Sequence, residues 1–187
     1  MTLEPFYSQM AIQTRVEELA ATLDKRFSDG RPPHIIGVLK GGFVFVADLV
    51  RAMSVPVTVD FIRVSSYGAD TQSSGLPQLL DLPTMELKNR DVIIVEDIVE
   101  TGLTLRAIRA SLLVRQPRSL TTVTLLAKPS QHQVNVSIDL VGIGTKKPRG
   151  RFLTTDNCRI YPGYSLKVRA VINISPPEKL SRYEKGA

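Results

Sequence analysis

Ile12, Val16, Leu19, Leu23 and Phe27 recur at spacings of three and four. That is the stripe of an amphipathic helix, predicted over about 8–28. Asp29-Gly30-Arg31-Pro32-Pro33 then stops it. Short apolar runs alternate with helical patterns from there on. His34–Leu39 reads as a buried strand, followed by a glycine turn and a helix over about 43–53. Val57–Val64 is a second strand. Ser65–Pro83 is long, polar and glycine-containing, and reads as a loop or mobile hairpin; loops of that length are uncommon unless functional or disordered. Asp91–Glu96 is the strongest strand, because Val92, Ile93, Ile94 and Val95 are continuous. Such a run implies burial on both faces, as in a central parallel strand. Leu105, Ile108, Leu112 and Leu113 give Leu103–Arg115 helical spacing. Thr121–Ala127, Ile138–Ile143 and Val168–Ile174 complete the strands. This alternation predicts an α/β fold with a mainly parallel central sheet flanked by helices. Ligands bind such sheets beyond the carboxyl ends of the strands, so the chemistry is expected just after each one.

No repeat or low-complexity linker divides the 187 residues, a length that suits a single domain with one sizeable core. The balance of 43% apolar and 22% charged residues is ordinary for a globular chain. No apolar run approaches the ~20 residues that span a bilayer. Met1-Thr2-Leu3-Glu4-Pro5 lacks the basic and apolar regions of a secretory signal. Glu184-Lys185-Gly186-Ala187 matches no retention or peroxisomal address. A cytoplasmic protein is therefore expected, with no membrane partner. Cys158 is the only cysteine, which excludes an intrachain disulfide, and it reads as an incidental thiol. With only His34 and His132 beside it, a structural zinc site lacks ligands; both histidines are assigned to packing or surface. The net charge of +6 fits a nucleic-acid partner, a small polyanion such as a phosphate ester, or a solvated basic surface. On charge alone the last weighs most. The densest basic cluster, Lys146-Lys147-Pro148-Arg149-Gly150-Arg151, has only Phe152 as an adjacent aromatic, a poor platform for stacking bases.

The informative segment is Val92-Ile93-Ile94-Val95-Glu96-Asp97-Ile98-Val99-Glu100-Thr101-Gly102-Leu103-Thr104. A buried strand runs into two adjacent carboxylates, which are costly there unless a cation or hydroxyl groups compensate. Ribose hydroxyls and a hydrated Mg2+ would satisfy both. Thr101-Gly102-Leu103-Thr104 then opens a helix, whose amides and dipole favour an anion. Gly102 lets backbone approach a phosphate closely. A diol site and a phosphate site thus follow one another, as the two ends of a 5-phosphorylated ribose do. The plainer reading is an acidic loop and a helix capped by Thr101.

This segment resembles the signature of the type I phosphoribosyltransferases, and the chain resembles their hypoxanthine-guanine branch over roughly residues 10–143. Three more segments carry the resemblance. Leu39-Lys40-Gly41-Gly42 matches the family's pyrophosphate loop. Arg63-Val64-Ser65-Ser66-Tyr67-Gly68 matches the start of its flexible catalytic loop. Leu125-Leu126-Ala127-Lys128 matches the strand whose lysine recognises the purine's 6-oxo group. The resemblance implies a Mg2+-dependent transfer from 5-phosphoribosyl 1-diphosphate to a purine base, through an oxocarbenium-like state, and a homodimer or homotetramer. It implies that Leu39, Lys40, Gly41 and Gly42 hold pyrophosphate, with a cis Leu39–Lys40 peptide, and that Arg63 contacts the diphosphate or a neighbouring subunit. Glu96 and Asp97 would bind the ribose hydroxyls and the metal. Thr101, Gly102, Leu103 and Thr104 would bind the 5-phosphate, Lys128 the base, and Ser66 and Tyr67 would close over the site to exclude water.

Two departures alter that picture. Glu100 stands where the family usually has aspartate, the proposed general base. The extra methylene adds about 1.5 Å of reach, and a misplacement near 1 Å costs on the order of a hundredfold in rate. After Gly142 the family pattern is lost. Counting without gaps puts Arg149 at the position of the aromatic that stacks on the purine, and Asp156 at that of an aspartate near a second Mg2+; Phe152 would supply the ring only with a shift in register, and Arg159 is the nearest match to a following arginine. Residues about 144–187 are therefore expected to form a divergent hood on the single domain. Competing functions are a nucleotide-sensing RNA-binding regulator on the same scaffold, motivated by Glu100 and the basic segment, and a transferase for another base such as xanthine or a pyrimidine.

Overall fold

The computed structural model describes residues 7–65, 77–81 and 85–144. The first stripe forms helix α1 (Gln9–Arg26), which buries Ile12, Val16, Leu19, Ala20 and Leu23. Ser8 caps it by accepting from the Ala11 amide at 3.2 Å, and Lys25 and Arg26 stand in the last turn, where cations complement the helix dipole. β1 (His34–Leu39) follows, then α2 (Phe43–Ala52) and β2 (Thr58–Ser65). The Asp24 carboxylate accepts from the amides of Ser54 and Val55, tying the turn after α2 to α1. His34 is fully buried and joins Thr58 through Nδ1 and Oγ1 at 2.7 Å, the packing role expected of it.

The stretch read as a loop or hairpin contains β3 (Gln78–Asp81), which returns antiparallel to β2. The hairpin reading therefore holds at its two ends. β4 (Asp91–Val99), α3 (Leu103–Leu113), β5 (Ser119–Ala127) and β6 (Leu140–Gly144) complete the described elements. The predicted strand Val168–Ile174 lies outside the described residues.

β4 corrects one expectation. It does not end at Glu96 but runs three residues further. β5 continues beside it, pairing Glu96 with Thr124, Ile98 with Leu126 and Val99 with Ala127. The two acids are thus inside the strand, where the neighbouring ladder on the β5 side holds the backbone extended.

The six strands lie in the order β3-β2-β1-β4-β5-β6, and every neighbouring pair except β2–β3 is parallel. One face packs on α1 and α2 through Ile35, Ile93, Val95, Val123 and Phe45. The other packs on α3 through Ile36, Val92, Ile94, Leu105, Ile108 and Leu112. Each fully buried aliphatic side chain contributes about 1.5–3 kcal/mol, so the central strands, covered on both faces, anchor the sheet. The chain leaves β1 toward β2 on one side and later returns to place β4 on the other. The strand order reverses between β1 and β4, and that switch point is where open α/β sheets bind ligands.

Candidate active site

At the switch point β1 ends in the peptide Leu39–Lys40, which is cis, as the resemblance implied. Gly41 and Gly42 then turn the chain into α2, Gly42 serving as its N-cap. Neither position has room for a side chain. A Cβ on Gly41 would meet Asp97 Cγ and Oδ1 at 2.9 Å and Oδ2 closer still, and one on Gly42 would lie 2.6 Å from the Val38 carbonyl oxygen. The glycines therefore let this loop descend onto the β4 carboxylate. That contact is between remote parts of the chain and had no sequence signal of its own.

Glu96 and Asp97 are each 8% exposed. The strand alternation changes at this pair. Ile93 and Val95 face α1 and α2 while Val92 and Ile94 face α3, yet beyond the acids Ile98 joins the first layer and Val99 the second. Glu96 Oε2 and Asp97 Oδ2 are buried without a hydrogen-bond partner among the described residues. Burial, with the adjacent Asp97 charge added, pushes the Glu96 carboxyl up to about 8. Burial also raises Asp97, offset in part by hydrogen bonds from its own amide and that of Ile98. Two hard oxygens left orphaned inside β4, near its carboxyl end, suit a cation or a diol. Among the described residues no cluster of three or more His, Cys, Asp or Glu gathers as a metal cage. The pair fits Mg2+ nonetheless, since that ion is commonly bound by one or two carboxylates plus substrate oxygens and waters.

Gly102, at φ +78°, is the N-cap of α3. Thr101 is therefore not the cap residue; its Oγ1 accepts from the Leu103 amide at 3.4 Å. A Cβ on Gly102 would meet Val136 Cγ1 at 2.9 Å and Val134 Cγ2 at 3.3 Å. The segment between β5 and β6 thus lies over the turn, and the Gln133 amide donates to the Thr101 carbonyl at 2.9 Å. The alternating apolar residues Val134, Val136 and Ile138 are the signal that would have revealed this support. Leu103 and Thr104 begin the helix, where the first amides lack intrahelical acceptors.

Glu100 follows β4, and its Oε1 is paired with Lys128 Nζ beyond β5. Arg63 lies opposite Leu39 in the β1–β2 register and pairs with Asp81 of β3, Nε to Oδ2 at 3.0 Å. The structure thus brings Leu39–Gly42, Glu96, Asp97, Glu100–Thr104 and Lys128 to one end of adjacent strands, with Arg63 at the flank. Ser66, Tyr67, Arg149, Asp156, Phe152, Arg159 and Cys158 lie outside the described residues. No helix among the described residues is long and apolar enough to cross a membrane.

A family model for the phosphoribosyl transferase domain matches residues 3–146. The hypoxanthine phosphoribosyltransferase of Salmonella typhimurium is 38% identical over 142 residues, 75% of this chain and 80% of its own length. The hypoxanthine-guanine phosphoribosyltransferase of Aquifex aeolicus is 40% identical over 131 residues, 70% of this chain and 74% of its own. A solved hypoxanthine-guanine phosphoribosyltransferase from Bacillus anthracis superposes with a TM-score of 0.72 at 36% identity, covering 78% of this chain and 86% of the other. These likenesses agree with the parallel sheet, the paired acids and the glycine turns: the chain belongs to the phosphoribosyltransferase family, in the branch of the hypoxanthine and hypoxanthine-guanine enzymes.

Proposed function

We propose that this chain is a purine-salvage transferase, converting hypoxanthine or guanine and 5-phosphoribosyl 1-diphosphate to IMP or GMP and pyrophosphate. The carrying observation is the pair of orphaned, buried oxygens on Glu96 and Asp97, set against Gly41 and one turn before a helix N-terminus. The ribose hydroxyls would donate to those oxygens. The 5-phosphate would rest on Thr101, Gly102, Leu103 and Thr104, where amides and dipole favour negative charge. Leu39, Lys40, Gly41 and Gly42 would cradle the pyrophosphate, with Arg63 at its edge. Lys128 would donate to the base's exocyclic oxygen, and Glu100 would accept the proton that the base nitrogen loses. Ser66 and Tyr67 would exclude water from the cation-like centre. Arg149 would lie over the purine and Asp156 near a metal, both in a hood that residues about 144–187 would form.

Glu96 and Asp97, through substrate oxygens and waters, would hold Mg2+. When bound, the ion supplies positive charge beside the departing pyrophosphate. The assembly proposed is a homodimer or homotetramer, and the setting the cytoplasm.

A nucleobase panel with 5-phosphoribosyl 1-diphosphate and Mg2+, run on the native protein and on Glu100→Gln, tests the assignment. Hypoxanthine or guanine should yield its monophosphate in the native protein, with Glu100→Gln slower by about a hundredfold, the lower end of the range for losing a general base. A native protein that binds the phosphoribosyl donor but turns over no purine would overturn the assignment.

A further inference from the structure

Glu100 and Lys128 are the first residues past two neighbouring parallel strands. Val99 pairs with Ala127 at the end of the β4–β5 ladder, and the Lys128 amide donates to the Val99 carbonyl at 2.9 Å. The backbone therefore delivers the two side chains next to each other, and they meet as an ion pair. The members differ in exposure: the lysine side chain is 4% exposed and the glutamate 37%. A buried ammonium requires oxygen acceptors, and it brings three donors and no acceptor of its own. A base reaching Lys128 must present an acceptor such as a ring carbonyl; an exocyclic amine would set donor against donor. Glutamate in place of aspartate adds the methylene, about 1.5 Å, that carries the carboxylate toward the lysine.

We infer that the Glu100–Lys128 pair couples recognition of the base to its activation. Without a base, the lysine engages the Glu100 carboxylate. A carbonyl on the incoming base takes over a Lys128 N–H, and Glu100 is released toward the base's ring N–H. In the step that follows, that proton passes to the Glu100 carboxylate and the N–H electrons return to the ring, while the other nitrogen of the five-membered ring gives its electron pair to the bond to the anomeric carbon. Pyrophosphate leaves with the electrons of the broken C–O bond. A base with an amine at this position leaves Glu100 tied, so the discrimination falls on activation as well as on binding. The inference rests on the phosphoribosyl-transfer reading above and adds to it a role for the pair.

The test is a two-by-two set of native, Glu100→Gln, Lys128→Met and the double variant. Methionine keeps the lysine's unbranched stem up to Cε and removes the buried charge, which proteins tolerate better than an unpaired one. IMP and AMP binding are measured by calorimetry, so that turnover is not required of any variant, and kcat is measured with hypoxanthine wherever it can be. If the tie competes with the carbonyl, Glu100→Gln binds IMP tighter by about threefold while losing kcat, the opposite movements that mark a released ground-state interaction. The tightening should vanish in the Lys128→Met background and for AMP in either background. Equal tightening for IMP and AMP, or equal tightening with and without Lys128, overturns the inference, as does any weakening of IMP binding in Glu100→Gln. Those results leave phosphoribosyl transfer intact if the native protein makes IMP. A native protein that makes no nucleotide from any 6-oxopurine removes the underlying reading and the inference with it.

Discussion

Two adjacent carboxyls, each 8% exposed, cannot both carry full charge in a strand without something to share it. Glu96 answers by holding its proton, its carboxyl raised from 4.5 to about 8 by burial and by Asp97. The folded protein thus binds this proton more tightly than the unfolded chain. Its contribution to stability is full below about 4.5 and is lost as pH rises toward 8. His34 acts in the opposite sense. Burial, then the Arg90 charge, lowers it from 6.5, so its contribution is present above 6.5 and is lost as pH falls. Between pH 6.5 and 8 the histidine contribution levels off while Glu96 still titrates. The melting temperature of protein in chelator should fall across that window, and Glu96→Gln should flatten the fall. Thermal denaturation followed by circular dichroism checks it, and an equal slope in both proteins would mean that Glu96 is hydrated.

At the scale of elements, the site is made by what happens at strand ends. Gly102 combines a left-handed backbone with close approach to Val134 and Val136. Alanine there meets both the unfavourable φ and the Val136 methyl, and should cost about 1–2 kcal/mol. It should also raise KM for the phosphoribosyl donor, because the displaced turn carries the proposed phosphate amides; urea unfolding and steady-state kinetics on Gly102→Ala separate the two effects. The same elements show what sequence could reveal. α1, β1, α2 and α3 announced themselves because one-sided or continuous burial leaves a period in the residues. The polarity of Glu96 and Asp97 reads as a strand end in the sequence, whereas the β5 ladder carries β4 on to Val99. The short, mostly exposed β3 offers almost no alternation, its burial coming only at Leu79. Of the candidate site, the acidic motif was legible as a local pattern, and Lys40 to Gly42 and Lys128 only through the family resemblance. The Gly41–Asp97 contact, the Glu100–Lys128 pair and the Arg63–Asp81 pair were not, since each joins separate strands. The family match ends at residue 146, near where the sequence itself departs from the family pattern.

Across the whole molecule, the sheet divides stability from chemistry by its two ends. The carboxyl ends of β1 and β4 carry the glycine loop and the acids. The opposite end is closed by Asp91, the first residue of β4, which is 6% exposed and accepts from Arg118 Nε at 2.9 Å and Ser119 Oγ at 2.6 Å. Arg118 also reaches Asp29 at 2.9 Å, so the turn after α1 is joined to the start of β4 and β5. Those bonds, the arginine first, hold the Asp91 carboxyl below its ordinary value. Here the lowered group stabilises the fold above its unfolded value of 3.8, and the contribution is lost as pH falls below it. Asp91→Asn keeps the shape and removes the charge that the arginine needs. It should cost on the order of 2 kcal/mol, several degrees in melting temperature. Because Asp91 and the strand-end carboxylates lie at opposite ends of one rigid strand, KM for either substrate and kcat should stay within about twofold of native, as independent sites do. Melting curves and kinetics on the one variant decide it. A large change in kcat at a temperature where the variant remains folded would mean that the far end of β4 helps to set the geometry of Glu96 and Asp97, and that the two ends are not independent.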